Sequence, residues 1–317
     1  MSDSPATRSS TLSPSRLRLG VFLVLLSATG FAAKGILAKL AYQEGVGAST
    51  VLDLRMLSVL PVYLAGLVWF GRNGSLGRPG PRDPDFWKII LLGLLGFDIS
   101  ALLDFEGLLR IGAGLERLVL FLYPTFVVFL SGLLGRRGIH LREILASLLA
   151  YGGLAIVAGG KVTADPDLRT GMLLVLGSAI FYAVYLVGVE RLVRRADPLY
   201  LTSLVMVVAT AALLLQSLLS GDFHPASVDK KALLLIGAMG IFSTALPTFF
   251  MTVGISIIGS SRAALLSFFG PVVTLLMAGV FLGEPVTYGE GVGALLIMVG
   301  VGWVAAEGRK GAIEKGR

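Results

Sequence analysis

Apolar blocks of bilayer length recur along the whole of this chain, and they restrict what it can fold into. Ten can be read, at roughly 19–41, 48–70, 87–109, 113–134, 141–160, 170–190, 198–219, 231–254, 260–282 and 287–306, with edges good to about 2–4 residues. Each approaches the ~20 residues that cross a hydrocarbon core as a helix. A lipid-embedded backbone must satisfy its own hydrogen bonds, so segments of this kind fold as helices. Of the 317 residues, 55% are hydrophobic and only 15% charged, an apolar excess that one soluble core would not bury. The fold expected is an all-α polytopic membrane protein with ten transmembrane helices. Residues 1–18 are polar and rich in Ser and Pro, and are expected to form a disordered cytoplasmic tail. Residues 307–317 form a second cytoplasmic tail. The first apolar run is too long for a signal-peptide core and reads as a retained span.

Lys and Arg placement sets the orientation. With a cytoplasmic N-terminus, eighteen of them fall in inside segments and seven in outside ones. That asymmetry follows the positive-inside rule and puts both termini in the cytoplasm, which implies a bacterial inner (plasma) membrane. The net charge of +7 is thereby explained as a topology signal, and no nucleic-acid partner is expected. The chain has no Cys, and its two histidines, His140 and His224, fall in loops. No metal site and no cofactor are therefore expected. A phosphate-binding GxxxxGK[ST] loop is absent, as are an HExxH site and a Ser/His/Asp set, so neither ATP-driven transport by this chain alone nor an enzyme is expected.

The two halves resemble each other. LLGLLGFDISAL (91–102) aligns with LIGAMGIFSTAL (235–246), and FLYPTFVVFLSGLLGR (121–136) with SFFGPVVTLLMAGVFLGE (267–284). Pro124 then matches Pro271, and Ser27-Ala28 matches Ser178-Ala179. Each half holds five spans, an odd number, so the second copy enters the membrane from the opposite side. The expected domains are two inverted five-helix repeats, residues 19–160 and 170–306, with a substrate site between them near mid-membrane.

On LRMLSVLPVYL (54–64), YPTFVVFLSGLLG (123–135) and FFGPVVTLLMAGVFLGEPVTYGEGVGALLIMVGVGWV (268–304), the chain resembles EamA-type members of the drug/metabolite transporter superfamily. The last stretch carries most of the resemblance: Pro within a span, an LGE turn, then a Gly-rich final span. In the first half Arg136 stands where the repeat has Glu284. The resemblance implies a ten-helix exporter or exchanger of small organic solutes, amino acids among them, without naming the solute. The expected partners are that solute and the lipid bilayer, and self-association into a homo-oligomer stays open. The alternative is a membrane scaffold or lipid-handling protein, which needs no central polar cavity.

Charges inside or near the spans are the candidate site. Lys34 and Asp98 are the deepest opposite charges, and bilayer energetics should turn them to the interior or a cavity. Their depths differ by roughly 7 Å at about 1.5 Å per residue, within reach of a Lys stem. An isolated Asp98 would suit proton coupling, and a paired one a structural role. Tyr182 and Tyr185, spaced i,i+3, are expected to supply aromatic faces from the other half. Around the RIGAG turn lie Asp104, Glu106, Arg110, Glu116 and Arg117, with Asp53 and Arg55 near the same side. They read either as a wet, neutralised rim or as an outer gate of ion pairs. Pro61, Pro124 and Pro271 are expected to bend their helices, for packing or to line the cavity.

Overall fold

A computed structural model describes residues 14–73, 80–134, 141–158, 165–193, 197–221, 223–225, 228–258, 266–267 and 269–314. Every regular element among them is helical. In chain order these are α1 (Pro14–Gln43), α2 (Ala48–Asn73), α3 (Pro84–Gly93), α4 (Ser100–Arg110), α5 (Ala113–Leu120), α6 (Tyr123–Leu133), α7 (Leu141–Ala158), α8 (Pro166–Val193), α9 (Pro198–Ser220), α10 (Lys230–Gly240), α11 (Leu246–Ile258), α12 (Phe269–Met277) and α13 (Tyr288–Glu314). The first helix begins at Pro14, a few residues inside the segment expected to be a tail. Among the described residues, seven stretches are long and apolar enough to cross a membrane: Ser15–Gln43, Ala48–Asn73, Pro84–Arg110, Ala113–Leu130, Pro166–Gly188, Leu199–Ser220 and Lys230–Met251. Two shorter apolar stretches follow at Phe269–Leu282 and Tyr288–Trp303.

Local chemistry explains the helix starts. Asp-Pro pairs open three of them, because the Asp side chain caps free N–H groups and Pro fits the first turn. Asp83 accepts from Asp85 N at 2.9 Å, Asp165 from Asp167 N at 2.9 Å, and Asp197 from Leu199 N at 2.9 Å. Thr287 and Glu290 form a reciprocal capping box before α13, with Thr287 N donating to Glu290 at 2.8 Å. Gly221 ends α9 with φ of 77°, a left-handed position that favours glycine.

Among the described residues, three π-helical turns interrupt the spans: Leu94–Ile99 between α3 and α4, Ile241–Ala245 between α10 and α11, and Ala278–Leu282 after α12. The first two fall in the segments 91–102 and 235–246, which align with each other. Pro61 lies inside α2, whereas Pro124 lies in the first turn of α6, where the chain restarts after a break at Phe121–Leu122. Pro124 thus stands just past a break within the span Ala113–Leu130. Pro271 is the third residue of α12.

Helices pair across the halves. α1 packs on α11 and α12, while α8 packs on α4 and α6. α2 packs on α9, and α7 on α13. Glycines permit the close approaches. A Cβ at Gly254 would meet Val24 Cγ2 at 2.5 Å, and one at Gly107 would meet Val175 Cγ2 at 2.5 Å. The main apolar core gathers Ile36, Leu52, Met56, Phe105, Leu213 and Ile236. Outside it, large apolar side chains face outward, including Leu133, Leu219, Leu234 and Val280. This belt suits lipid. Trp69 and Trp87, both exposed, sit on adjoining helices near the ends that the 74–83 connection joins, as interfacial tryptophans do.

Candidate functional site

A cavity of about 500 Å³ lies among the helices of both halves. That volume lies within the range of small-molecule sites. Both aligned π turns reach it: Gly96 and Phe97 come from one, Ser243 and Thr244 from the other. Such turns widen a helix and recur at functional sites. Gly96 has a specific task here, since a Cβ there would meet Tyr185 Cγ at 2.5 Å. Without that glycine the Tyr185 ring could not lie against the π turn.

One wall is aromatic. Phe97 meets Tyr185 with ring centroids 5.0 Å apart, Tyr123 meets Tyr182 at 5.1 Å, and Tyr182 stacks on Tyr185 at 6.0 Å. Tyr182 and Tyr185 thus line the cavity together, from α8. Their hydroxyls make no hydrogen bond among the described residues, so they are available to a solute. The matched serines also meet the opposite half. Ser27 Oγ donates to Pro247 O at 2.7 Å, and Ser100 Oγ donates to Ser178 O at 3.0 Å.

Lys34 lines the cavity from α1, but its partners differ from the expected one. Its ammonium is bound by Asp104 and by Glu116, the latter at 3.2 Å. Asp98 is not a partner and does not line the cavity; it is buried on the π turn, where Oδ1 accepts no hydrogen bond among the described residues. The π turn is the reason. Counting faces at 3.6 residues per turn does not carry through it.

The five charges around the RIGAG turn divide in two. Asp104 and Glu116 are 4% and 1% exposed and both bind Lys34 at the cavity wall. Glu106 and Arg110 form a half-buried i,i+4 pair at 2.9 Å, and Arg110 also reaches Asp167 at 3.6 Å. Arg117 departs from the expected gate: it lines the cavity and makes no ion pair among the described residues. Arg55 lines it as well, buried, with its guanidinium 4.8 Å from the Phe105 ring centroid. Asp53 is buried and does not line the cavity. No group of His, Cys, Asp and Glu among the described residues is suited to hold a metal, and His140 lies outside them.

Sequence reasoning took Arg55 and Arg117 only for gate residues and passed over Ser100, Ser243 and Phe97. The Asp98-containing segment had been marked by its repeat, but nothing in the letters announces a π turn. Glu284, of the LGE turn, accepts from Ala113 N at 3.0 Å and Gly114 N at 3.4 Å. It caps α5 from the opposite half, so the turn that carries the resemblance also holds the halves together.

Helices of lipid-crossing length around a shared polar and aromatic cavity define an integral, multi-pass membrane protein of the solute-handling kind. The sequence pattern of the EamA-like transporter family matches residues 18–159 and 169–306, and the chain belongs to that family. It is 31% identical over 275 residues to the uncharacterized transporter YcbK of Bacillus subtilis, covering 84% of this chain and 86% of that one. It is 26% identical over 245 residues to the S-adenosylmethionine/S-adenosylhomocysteine transporter of Chlamydia trachomatis serovar L2, covering 71% and 70%. A crystal structure of a protein 20% identical superposes with a TM-score of 0.61 over 92% of this chain and 97% of that one, which shows a common fold. Family and relatives point to a transporter acting on a small molecule, and not to an enzyme.

Proposed function

We propose that this protein is a secondary transporter that moves small organic metabolites by alternating access between two inverted five-helix repeats, residues 19–160 and 170–306. The observation that carries this reading is the cavity walled by both π turns, one from each half. The exchanged helix pairings support the inverted relation. α1 packs on α11 and α12 as α8 packs on α4 and α6, the pattern expected when two copies related by a two-fold axis in the membrane plane exchange partners. Ten spans follow if α7 and the two shorter apolar stretches cross as well. Lys and Arg placement supports cytoplasmic termini in a bacterial inner membrane, and the family resemblance favours export as the direction.

In that orientation the Lys34, Asp104 and Glu116 cluster closes the cavity on the outer side. Thr202 and Ser267, near the opposite helix ends, line its inner reach. The state is then inward-facing. One relative is named for S-adenosylmethionine and S-adenosylhomocysteine, in keeping with small organic solutes. A scaffold would need no such cavity.

The test is flux of radiolabelled organic acids, amino acids and amines into proteoliposomes, with and without a pH gradient. Ala101→Trp fills the cavity, and Val280→Trp, at a position 77% exposed, is the lipid-facing control. Flux through wild type and Val280→Trp but not Ala101→Trp supports the reading. Equal flux through both variants refutes it.

A further inference from the structure

The charges that face the cavity are unbalanced, and this bears on which solute the proposed transporter carries. Its charged lining residues are Lys34, Arg55, Arg117 and Asp104. Counting Glu116, which Lys34 contacts, there are three cations and two carboxylates. Lys34 is occupied by both carboxylates. The two guanidiniums feel these carboxylates only at longer range, Arg55 from Asp104 and Arg117 from Glu116. Neither Arg55 nor Arg117 has an ion pair or a side-chain hydrogen bond among the described residues, and the Nε of each is buried without a partner. Arg55 is only 6% exposed. A buried guanidinium with donors unused is costly unless something satisfies it. Around these two cations the remaining wall is aromatic, with Phe97, Phe105, Tyr182 and Tyr185 offering flat faces. Asp53 and Asp98 are not among the lining residues.

We propose that the cavity selects an organic monoanion with a flat apolar body, its carboxylate or similar group met by Arg55 and Arg117 and its body by the aromatic wall. The proposal rests on the transport reading for its biological sense, but the charge selectivity is a property of the cavity itself. Arginine suits this role because its planar fork binds carboxylate oxygens in pairs. A zwitterion would need a free carboxylate for its ammonium, and Asp104 is engaged by Lys34. An amine would meet two guanidiniums that no carboxylate contacts directly among the described residues.

Three probes share one ring and differ in charge: phenylacetate, phenylalanine and phenethylamine. Calorimetric titration of purified wild-type protein in nanodiscs should rank them in that order of affinity. Phenylacetate should lead phenethylamine by at least about tenfold, the scale of one charge-assisted hydrogen bond. Arg117→Gln should weaken phenylacetate by about tenfold or more and leave phenethylamine unchanged or tighter, while Arg117→Lys should retain part of the affinity. The ranking needs no variant, so a misfolded Arg117→Gln does not decide the matter. Phenylalanine or phenethylamine binding as tightly as phenylacetate overturns the proposal, as does binding of none of the three. Transport is read separately. Flux of phenylalanine that Ala101→Trp blocks, with no phenylacetate binding, removes the anion selectivity and keeps the transporter. Phenylacetate binding with flux of no solute does the reverse.

Discussion

Lys34→Met isolates the cluster that closes the cavity. The substitution keeps much of the stem and removes the ammonium from two carboxylates that are 4% and 1% exposed. At the 3.2 Å separation from Glu116, one ion pair is worth about 5 kcal/mol at an effective dielectric of about 20, before desolvation is subtracted. Removing one partner of a buried pair costs about 3–5 kcal/mol, because a charge stays buried without compensation. Lys34→Met should therefore lose about 3–5 kcal/mol. Equilibrium unfolding in mixed dodecylmaltoside and SDS micelles reads this directly. Adding Asp104→Asn relieves the repulsion left between the carboxylates, so the double variant should be at least ~1 kcal/mol more stable than the sum of the two single losses predicts. A Lys34→Met protein within about 1 kcal/mol of wild type would refute the reasoning, as would strict additivity, since contacting charges couple by ~0.5–3 kcal/mol.

Further outcomes follow from the same geometry. Arg110→Ala breaks only half-exposed pairs that water can screen, so it should cost about 1 kcal/mol or less by the same unfolding assay and leave flux unchanged. Gly107→Ala puts a Cβ 2.5 Å from Val175 Cγ2 and 2.8 Å from Gly171 O, and should cost about 1–3 kcal/mol. Gly152→Ala meets nothing within 4 Å and should be neutral or stabilising by up to ~1 kcal/mol. Glu284→Ala removes the acceptor for two N–H groups at the start of α5 and should cost about 0.5–2 kcal/mol, read as a lower unfolding midpoint. Reporter fusions after Arg309 and at Lys161 should report opposite membrane sides; the same side at both positions would reject the topology.

The helical class was legible because lipid-length apolar runs have one backbone solution. The cavity was legible in part. Energetics said that Lys34 should avoid lipid, and repeat spacing put Tyr182 and Tyr185 in the opposite half. The partner of Lys34 was not legible. Depth along a span fixes one coordinate, whereas the face is set by helix phase, and the π turn at Leu94–Ile99 shifts that phase. Separating Glu116 and Asp104 from Glu106 and Arg110 also needed the packing of α4 on α8. All four charges lie within about two helical turns of RIGAG, where sequence cannot tell rim from interior.

The central claim is that one cavity opens alternately to the two membrane faces. The chain has no cysteine, so a single Phe31→Cys in the cavity wall can be labelled without background. A membrane-impermeant maleimide is applied to right-side-out and to inside-out vesicles. The account predicts labelling from both faces, with saturating transported solute slowing both. Labelling from one face only, with and without solute, or from neither, would contradict it.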